Sequence, residues 1–446
     1  MFIQQPSAAS AAILNLGDLD ARNQHLLSLD SRKLSVFPCG LAAELWNIII
    51  DHLHDDSPSL IACLAAHPAW GSFCRYHIYE NFTWNAHDCS RNTVHDFHPC
   101  PRYVRRLIID GPFADDHHHL SEPAEPEWLL PLADRLDMFN AVTHLEVESV
   151  DFVDIFDTHA WQTFRSSRSF LSRIESLNLS NIPLQPFQLI LETISLFPSL
   201  TKLDYLPSHV DLDYEEDIDY DLYQPSTNWT AFSTEHAPLL LPTFGFWNWL
   251  SARTLTHLNT IRLDAIRTSD LPSLTSYLGL IGSSLKEFRV RFSKSEEICD
   301  FTNSRPLAKS TGLRHIELVG LCRQYSNSRI WTGKESLALL STLPNGSLSS
   351  IDLTLDVSRR RIANSRISQT PVLDSMLSNV QQFPALRAIR VNSVSSVKNG
   401  EAEEQMKKGF EKCLSRGLLK VSVSSMSDCV KDLITDPLGN DVVDDK

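Results

Sequence analysis

The chain has 446 residues, of which 42% are apolar and 21% are charged. Its 40 Lys and Arg residues and 55 Asp and Glu residues give a net charge of −15 at pH 7. An acidic surface repels phosphate backbones, and the Lys and Arg residues form no long cluster, so we expect no nucleic-acid partner. The composition also excludes a largely disordered chain. The length is compatible with about three compact domains or with one long repeat array.

The cysteines and the apolar segments bear on the compartment of the protein. The nine cysteines are odd in number and scattered, and they contain no C-x-x-C motif. We therefore expect reduced thiols and a cytoplasmic or nuclear location, or both. The start of the chain lacks a basic region, and the longest apolar stretch, residues 237–250, is interrupted by Pro238 and Pro242. Neither a signal peptide nor a membrane span is predicted.

Three short helices are predicted after a tail, residues 1–33, that contains at most one short helix. The first and third helices have apolar residues at i, i+3, i+4 and i+8, which lie on one helical face: Leu45, Ile48, Ile49 and Leu53, then Trp70, Phe73, Cys74 and Ile78. Ser57-Pro58 marks the start of the second helix. A β-like stretch follows at residues 79–84. Because so small a unit buries little apolar surface by itself, we interpret it as a docking module.

The segment from about residue 37 to 84 resembles an F-box, in particular the form abundant in mushroom-forming fungi. The resemblance rests on these residues: Leu41-Ala42-Ala43-Glu44-Leu45, Ile48-Ile49-Ile50-Asp51-His52-Leu53, Leu60, Cys63, Trp70 and Arg75-Tyr76-His77-Ile78-Tyr79. Ala42 stands where the family usually has proline. The resemblance implies binding to the small Skp-type adaptor of a cullin-based ubiquitin ligase. By position, it assigns adaptor contact to Leu41, Glu44, Leu45, Ile48, Ile49 and Leu53, with Trp70 as a core or contact aromatic. The alternative is a generic three-helix cap on the following domain.

The rest of the chain is periodic. The pattern apolar-x-x-apolar-x-apolar occurs ten times: Val104/Leu107/Ile109, Val142/Leu145/Val147, Ile174/Leu177/Leu179, Leu200/Leu203/Tyr205, Leu258/Ile261/Leu263, Leu285/Phe288/Val290, Leu313/Ile316/Leu318, Leu348/Ile351/Leu353, Leu386/Ile389/Val391 and Leu418/Val421/Val423. The spacing between successive copies is typical of leucine-rich repeats with helices of variable length. The interval from Leu203 to Ile261 is longer than all the others and corresponds to two periods.

Each copy predicts a short strand whose last two apolar residues point inward. Helices are predicted between the strands, for example at residues 186–197, 334–343, 371–383 and 401–416. The predicted fold is α/β: a three-helix F-box module, residues 34–84, then an irregular leucine-rich-repeat solenoid with parallel strands on the concave side and helices outside. We predict a linker at residues 85–103, the solenoid at 104–424 with an acidic insertion near 206–230, and a tail at 425–446.

The outward strand positions form the predicted client-binding surface. The residues between the second and third apolar positions are Ile108, Glu146, Asn178, Asp204, Arg262, Arg289, Glu317, Asp352, Arg390 and Ser422. We hypothesise that Arg262 and Arg289 form a basic band that, with its charged neighbours Glu317, Asp352 and Arg390, reads a charged segment of a client protein. The alternative is that these are ordinary solvated strand positions.

No metal site, cofactor or catalytic motif is predicted. Cys89, His95, His98 and Cys100 have spacings that match no standard zinc site, and His117–His119 read as a surface loop. The acidic run at residues 211–221 lacks the glycine and the final glutamate of a calcium loop. The phosphate-loop, serine-hydrolase and zinc-protease motifs are also absent. We therefore expect a non-enzymatic substrate receptor, or alternatively a repeat scaffold or inhibitor whose helices only cap the solenoid.

Overall fold

A computed structural model describes twelve segments of the chain: residues 43–86, 101–112, 126–182, 186–207, 218–234, 244–264, 266–292, 295–319, 334–344, 346–356, 370–395 and 399–425. The chain divides into two compact units, Met1–Ile174 and Glu175–Lys446. The expected tails, most of the linker and most of the acidic run lie outside the described residues.

The described residues of the first unit begin with the three predicted helices, α1 (Ala43–Asp51), α2 (Ser57–Ala66) and α3 (Gly71–Ile78). Helix α2 starts where the Asp56 carboxylate accepts a hydrogen bond from the Ser59 backbone N–H, at 3.2 Å, with Pro58 in its first turn. This is the usual way to satisfy an amide at a helix start. The core of the three helices contains Ile50, Leu60, Leu64 and Cys74.

Three parallel strands follow in the same unit: β1 (Asn81–Asn85), β2 (Arg106–Asp110) and β3 (His144–Glu148). Four short helices complete it: α4 (Leu130–Ala133), α5 (Phe152–Ile155), α6 (His159–Ser166) and α7 (Arg168–Leu171). The described sheet begins at Asn81, ahead of Val104, where the predicted solenoid starts. The β-like stretch at the end of the helical module is a strand of this sheet, and its backbone hydrogen-bonding groups are satisfied in part by pairing with β2.

The described segments of the second unit contain nine parallel strands, each paired with the next in sequence order. They are β4 (Ser176–Ile182), β5 (Lys202–Pro207), β6 (Ala231–Ser233), β7 (Thr260–Leu263), β8 (Glu287–Arg291), β9 (His315–Val319), β10 (Ser350–Asp356), β11 (Ala388–Ser395) and β12 (Leu419–Ser425). The helices are α8 (Phe187–Ser195), α9 (Phe244–Ala252), α10 (Leu271–Ile281), α11 (Ser295–Ser304), α12 (Lys334–Ser341), α13 (Thr370–Leu377), α14 (Asn399–Gly409) and α15 (Glu411–Ser415).

Both units therefore follow the predicted α/β repeat plan. Along most of the strands, buried aliphatic or aromatic residues alternate with partly exposed ones, as in β8, where Phe288 and Val290 are buried and Arg289 is not. The buried residues face the helices, which pack against one another in sequence order from α9 to α12. Two predicted helices differ in extent. Helix α13 ends at Leu377, well before residue 383, and the expected helix at residues 401–416 is two helices that meet at Phe410.

The long interval between Leu203 and Ile261 contains a complete extra repeat, and the acidic insertion does not account for it. Strand β6 aligns Phe232 with Leu203 on one side and with Ile261 on the other, and Phe232 stands midway between them in sequence. Trp229 is buried in the first apolar position of this repeat. The sequence pattern missed it because the third position is Thr234, a polar residue that is nevertheless buried.

The register of the last repeat also differs from the prediction. The sequence pattern predicts that Val421 pairs with Ile389 and Val423 with Val391. In the structure Leu419 pairs with Ile389 and Val421 with Val391, so each β11 residue pairs with a residue two positions earlier in the chain than predicted. Gly417, with a φ of 69°, takes the left-handed conformation that ends the preceding turn and lets the strand begin early. As a result Ser422 pairs with Asn392, and Lys420 takes the place next to Arg390 that Ser422 was expected to hold.

Candidate protein-binding surfaces

An exposed apolar face lies on α1. Leu45, Ile48 and Ile49 are 47%, 52% and 42% exposed, whereas the adjacent Ile50 is 1% exposed. The three exposed residues stand at i, i+3 and i+4, so they share one side of the helix while Ile50 turns into the core. We call Leu45, Ile48 and Ile49 the α1 apolar face.

The other residues of the predicted adaptor contact have different positions. Leu53 and Trp70 are partly buried and pack against the core of the three helices, so they belong to the interior of the module and not to the α1 apolar face. Trp70 also packs against Trp46 of α1, with ring centroids 4.5 Å apart. Glu44 lies in α1, and Leu41 lies outside the described residues.

Helix α1 is fastened to α3 by a polar contact at its end. The His77 Nε2 and Asp51 Oδ1 atoms are 2.9 Å apart, and the His77 side chain is largely buried while Asp51 is exposed. A hydrogen bond between these residues connects the last residue of α1 to α3. The α1 apolar face is therefore carried by a helix with both apolar and polar attachments to the rest of the module.

The second candidate surface is the open face of the sheet in the second unit. Arg262 and Arg289 stand directly opposite each other on β7 and β8, as the basic band requires. Each has an acidic neighbour: an Arg262 guanidinium nitrogen lies 3.8 Å from a Glu287 carboxylate oxygen, and Arg289 Nε lies 3.5 Å from Glu317 Oε1. The basic band is thus part of a ladder of ion pairs between neighbouring strands.

Two further ion pairs lie on this face, one at the ends of β7 and β8 and one between β10 and β11. Arg291 pairs with Asp264 at 3.2 Å, and Arg390 pairs with Asp352 at 3.1 Å. Asp264 and Asp352 are buried, whereas Arg390 is exposed, so the arginines and not the aspartates are available to a partner on this face. Sequence reasoning missed Glu287, Asp264 and Arg291, because only the strand register brings them next to the predicted positions.

The environment of Arg289 reflects this crowding. Burial lowers the pKa of Arg289, the nearby Arg291 acts in the same direction, and Glu317 opposes both. Like charges directly opposite each other in a sheet reduce stability. The ion pairs with Glu317 and Glu287 offset that repulsion, so the face carries little excess charge at this point.

Comparison with known proteins yields likenesses among solved structures. No family model matches the chain, and no curated protein matches it. Among solved structures, the chain is similar to the crystal structure of the leucine-rich repeat-containing protein LegL7 from Legionella pneumophila. The two are 14% identical, the alignment covers 80% of this chain and 99% of that chain, and the TM-score is 0.42.

The strand order itself gives the architecture. Within each unit the described strands are parallel and follow the order of the sequence, so the chain is an α/β repeat protein.

The described residues contain no group of three or more His, Cys, Asp or Glu side chains arranged to hold a metal ion. The discounted candidates Cys89, His95, His98, Cys100 and His117–His119 lie outside them. Of the acidic run, Asp219 accepts a hydrogen bond from the Asp221 N–H at 3.0 Å, and Asp221 pairs with Arg253 at 3.3 Å. Among the helices described, none combines the length and the apolar character that a membrane crossing needs.

Proposed function

We propose that this chain is the F-box subunit of a Skp/cullin-type ubiquitin ligase and acts as its substrate receptor. In this proposal the helices α1 to α3 bind the Skp-type adaptor, and through it a cullin. The repeats bind a client protein, and other subunits carry out ubiquitin transfer, so the chain supplies proximity and no bond-making chemistry. The protein would work in the cytoplasm, the nucleus or both.

The observation that carries the proposal is the α1 apolar face. Three large aliphatic side chains that are about half exposed on adjacent turns of one helix lose unfavourable contact with water when a partner covers them. The small core beneath them, with four buried residues, is typical of a module that is completed by a partner. Because this segment resembles an F-box, we infer that the partner is a Skp-type adaptor.

Client binding is proposed for the open strand face. Arg262 and Arg289 lie side by side, with Glu317 on the next strand and with Asp352 and Arg390 two and three strands further on. A client segment with complementary charges can form ion pairs with these side chains in place of the ion pairs that they make with one another. If the proposal is right, Arg262→Glu combined with Arg289→Glu abolishes client capture and leaves adaptor binding unchanged.

Co-purification with a Skp-type adaptor tests the docking step. We expect Leu45→Asp with Ile49→Asp to weaken adaptor binding by at least about 100-fold, because the partner would then bury two uncompensated charges. The matched control is Val153→Asp with Val380→Asp, which changes two equally exposed aliphatic residues elsewhere. Adaptor binding that survives the first pair, or that both pairs reduce equally, would contradict the proposal.

A second candidate function is a repeat scaffold whose helices only cap the sheet. It is supported by the close attachment of the helices to the first strands of their unit. The Glu80 carbonyl accepts hydrogen bonds from the Arg105 and Arg106 N–H groups, at 2.8 and 3.0 Å, and the Arg105 guanidinium lies 4.7 Å from the Tyr76 ring centroid. For this candidate we expect the adaptor not to co-purify with the wild-type chain.

A further inference from the structure

The part of the second unit's edge that precedes strands β8 to β12 carries cations without acids. Five connections lead from a helix to the next strand before β8, β9, β10, β11 and β12: residues 282–286, 305–314, 342–349, 378–387 and 416–418. They contain no Asp or Glu, although the chain as a whole has 55 of them and a net charge of −15. Their Lys and Arg residues are all exposed: Lys286, Arg305, Lys309, Arg314, Arg387 and Arg416.

Three of these cations are aligned by the strand register. Lys286, Arg314 and Arg387 each come directly before a strand, and Ser349 holds the same position before β10. Backbone hydrogen bonds of 2.8 Å join Arg314 N–H to the Lys286 carbonyl, Ser349 N–H to the Arg314 carbonyl and Arg387 N–H to the Ser349 carbonyl. Neighbouring strands are about 4.8 Å apart, so the three cations span about 14 Å along one line. We call Lys286, Arg314 and Arg387 the basic edge.

The side chains of the basic edge have no partner in the described part of the chain. None of the three makes a side-chain hydrogen bond or an ion pair there. This separates them from the arginines of the open strand face, which pair with Glu287, Glu317 and Asp352. No contact among the described residues therefore depends on the three charges, and Lys286 and Arg314, neighbours on adjacent strands, repel each other.

Helix ends account for some of the other cations but not for these. A cation stabilises a helix C-terminus only within about the last turn. Lys309 fits that role, because its Nζ lies 3.9 Å from the position that a Cβ atom on Gly279 of α10 would occupy. Arg305 fits it too, because it directly follows α11. Arg314 and Arg387 come ten residues after the helix that precedes each of them, and Lys286 comes five residues after α10.

We propose that the basic edge binds an acidic segment of a partner polypeptide. A span of about 14 Å corresponds to four or five residues of extended chain, so a short run of Asp or Glu can reach all three cations at once. A nucleic acid fits less well. The net charge of −15 repels a long phosphate backbone, and the only aromatic residue in the five connections, Phe383, is buried and cannot stack on a base.

This inference goes beyond adaptor and client docking and does not depend on either. Its test is fluorescence anisotropy with a labelled oligo-glutamate peptide and the full-length protein at low salt. We expect Lys286→Glu with Arg314→Glu and Arg387→Glu to weaken peptide binding at least about tenfold, and added salt to weaken wild-type binding. All three side chains are exposed, so we expect the thermal midpoint of the variant not to fall.

The matched control is Arg102→Glu with Arg168→Glu and Lys408→Glu, which reverses three exposed cations elsewhere and changes the net charge equally. We expect this control to retain peptide binding within about threefold. Equal weakening by both triple variants would attribute binding to overall charge and overturn the proposal. Failure of the wild-type protein to bind the peptide, or tighter binding of an oligo-uridine RNA at the same edge, would overturn it as well. Adaptor co-purification is unaffected by any of these results, so the two proposals fail separately.

Discussion

The three-helix module and the repeat around β6 use their apolar residues in opposite ways. The module buries Ile50, Leu60, Leu64 and Cys74 and leaves the α1 apolar face in water. The repeat around β6 and α9 buries Trp229, Trp247 and Trp249 completely. The described residues of the module therefore leave large apolar side chains in contact with water, whereas the repeat encloses its three tryptophans.

The indole N–H groups show the same contrast. In the repeat, Trp229 Nε1 donates to the Ala231 carbonyl at 2.7 Å, and Trp249 Nε1 donates to the Tyr223 carbonyl at 3.0 Å. In the module, the Nε1 atoms of Trp46 and Trp70 are both buried without an acceptor among the described residues. A buried donor without an acceptor lowers stability, so the module has the less satisfied interior of the two.

The largest expected effect is in the aromatic repeat. Trp249→Ala removes a fully buried indole that packs against Trp229, with ring centroids 5.8 Å apart. We expect a loss of about 3–5 kcal/mol in the free energy of unfolding, measured by urea denaturation followed by circular dichroism. Trp249→Phe retains most of the packing and loses the hydrogen bond, so its effect should be clearly smaller. Equal losses for both variants would contradict the account of a packed aromatic cluster.

The next effect separates the inside of the module from its outside. Leu60→Ala in the module core should lower the free energy of unfolding by about 2–4 kcal/mol, because Leu60 is fully buried. Leu45→Ala on the α1 apolar face should change it by less than about 0.5 kcal/mol. Both are read from the same thermal or urea unfolding curves. A large loss for Leu45→Ala would mean that the face is covered within the chain.

A third comparison concerns helix starts. In the second unit, the buried Asp374 carboxylate accepts hydrogen bonds from the Lys412 and Cys413 N–H groups at the start of α15, at 2.9 and 2.8 Å. Asp374→Ala should cost about 1–3 kcal/mol of unfolding free energy, measured by urea denaturation, because the buried Cys413 amide and the partly buried Lys412 amide lose their acceptor. In the module, the exposed Asp56 plays this part for α2, and we expect a smaller effect from Asp56→Ala. A larger effect at Asp56 would reverse the comparison.

The smallest effect is expected from a charge on the first unit's sheet. Burial raises the pKa of Glu148, and the neighbouring Asp110 and Glu146 add to the rise. A raised pKa means that the ionised carboxylate is less favourable in the folded state than in the unfolded one. Glu148→Gln should therefore raise the thermal midpoint slightly at pH 7. The gain should shrink as the pH falls through the raised pKa towards the unfolded value near 4.5. A gain that does not depend on pH would rule out this cause.

Much of the fold could be predicted because it depends on local periodicity. The spacing of Leu285, Phe288 and Val290 is enough to predict β8, and all three residues are buried. Strand β6 could not be found in the same way, since Thr234 interrupts the pattern and is buried only because neighbouring strands surround it. The start of the sheet at Asn81 was also missed, because whether a β-like stretch pairs is decided by a strand, β2, that lies well beyond it in sequence.

The candidate surfaces likewise have some features that local sequence predicts and others that depend on tertiary packing. The sequence by itself determined the amphipathic face of α1, the repeat period and the charges of the outward strand positions, because each depends on residues a few positions apart. Only the tertiary structure decided that Leu45, Ile48 and Ile49 stay exposed while Leu53 packs inward. It also decided that the basic band pairs with Glu287 and Glu317, and that Lys286, Arg314 and Arg387 align on one edge. Burial and ion pairing depend on which strands and helices become neighbours, and that register is a property of the whole packed chain.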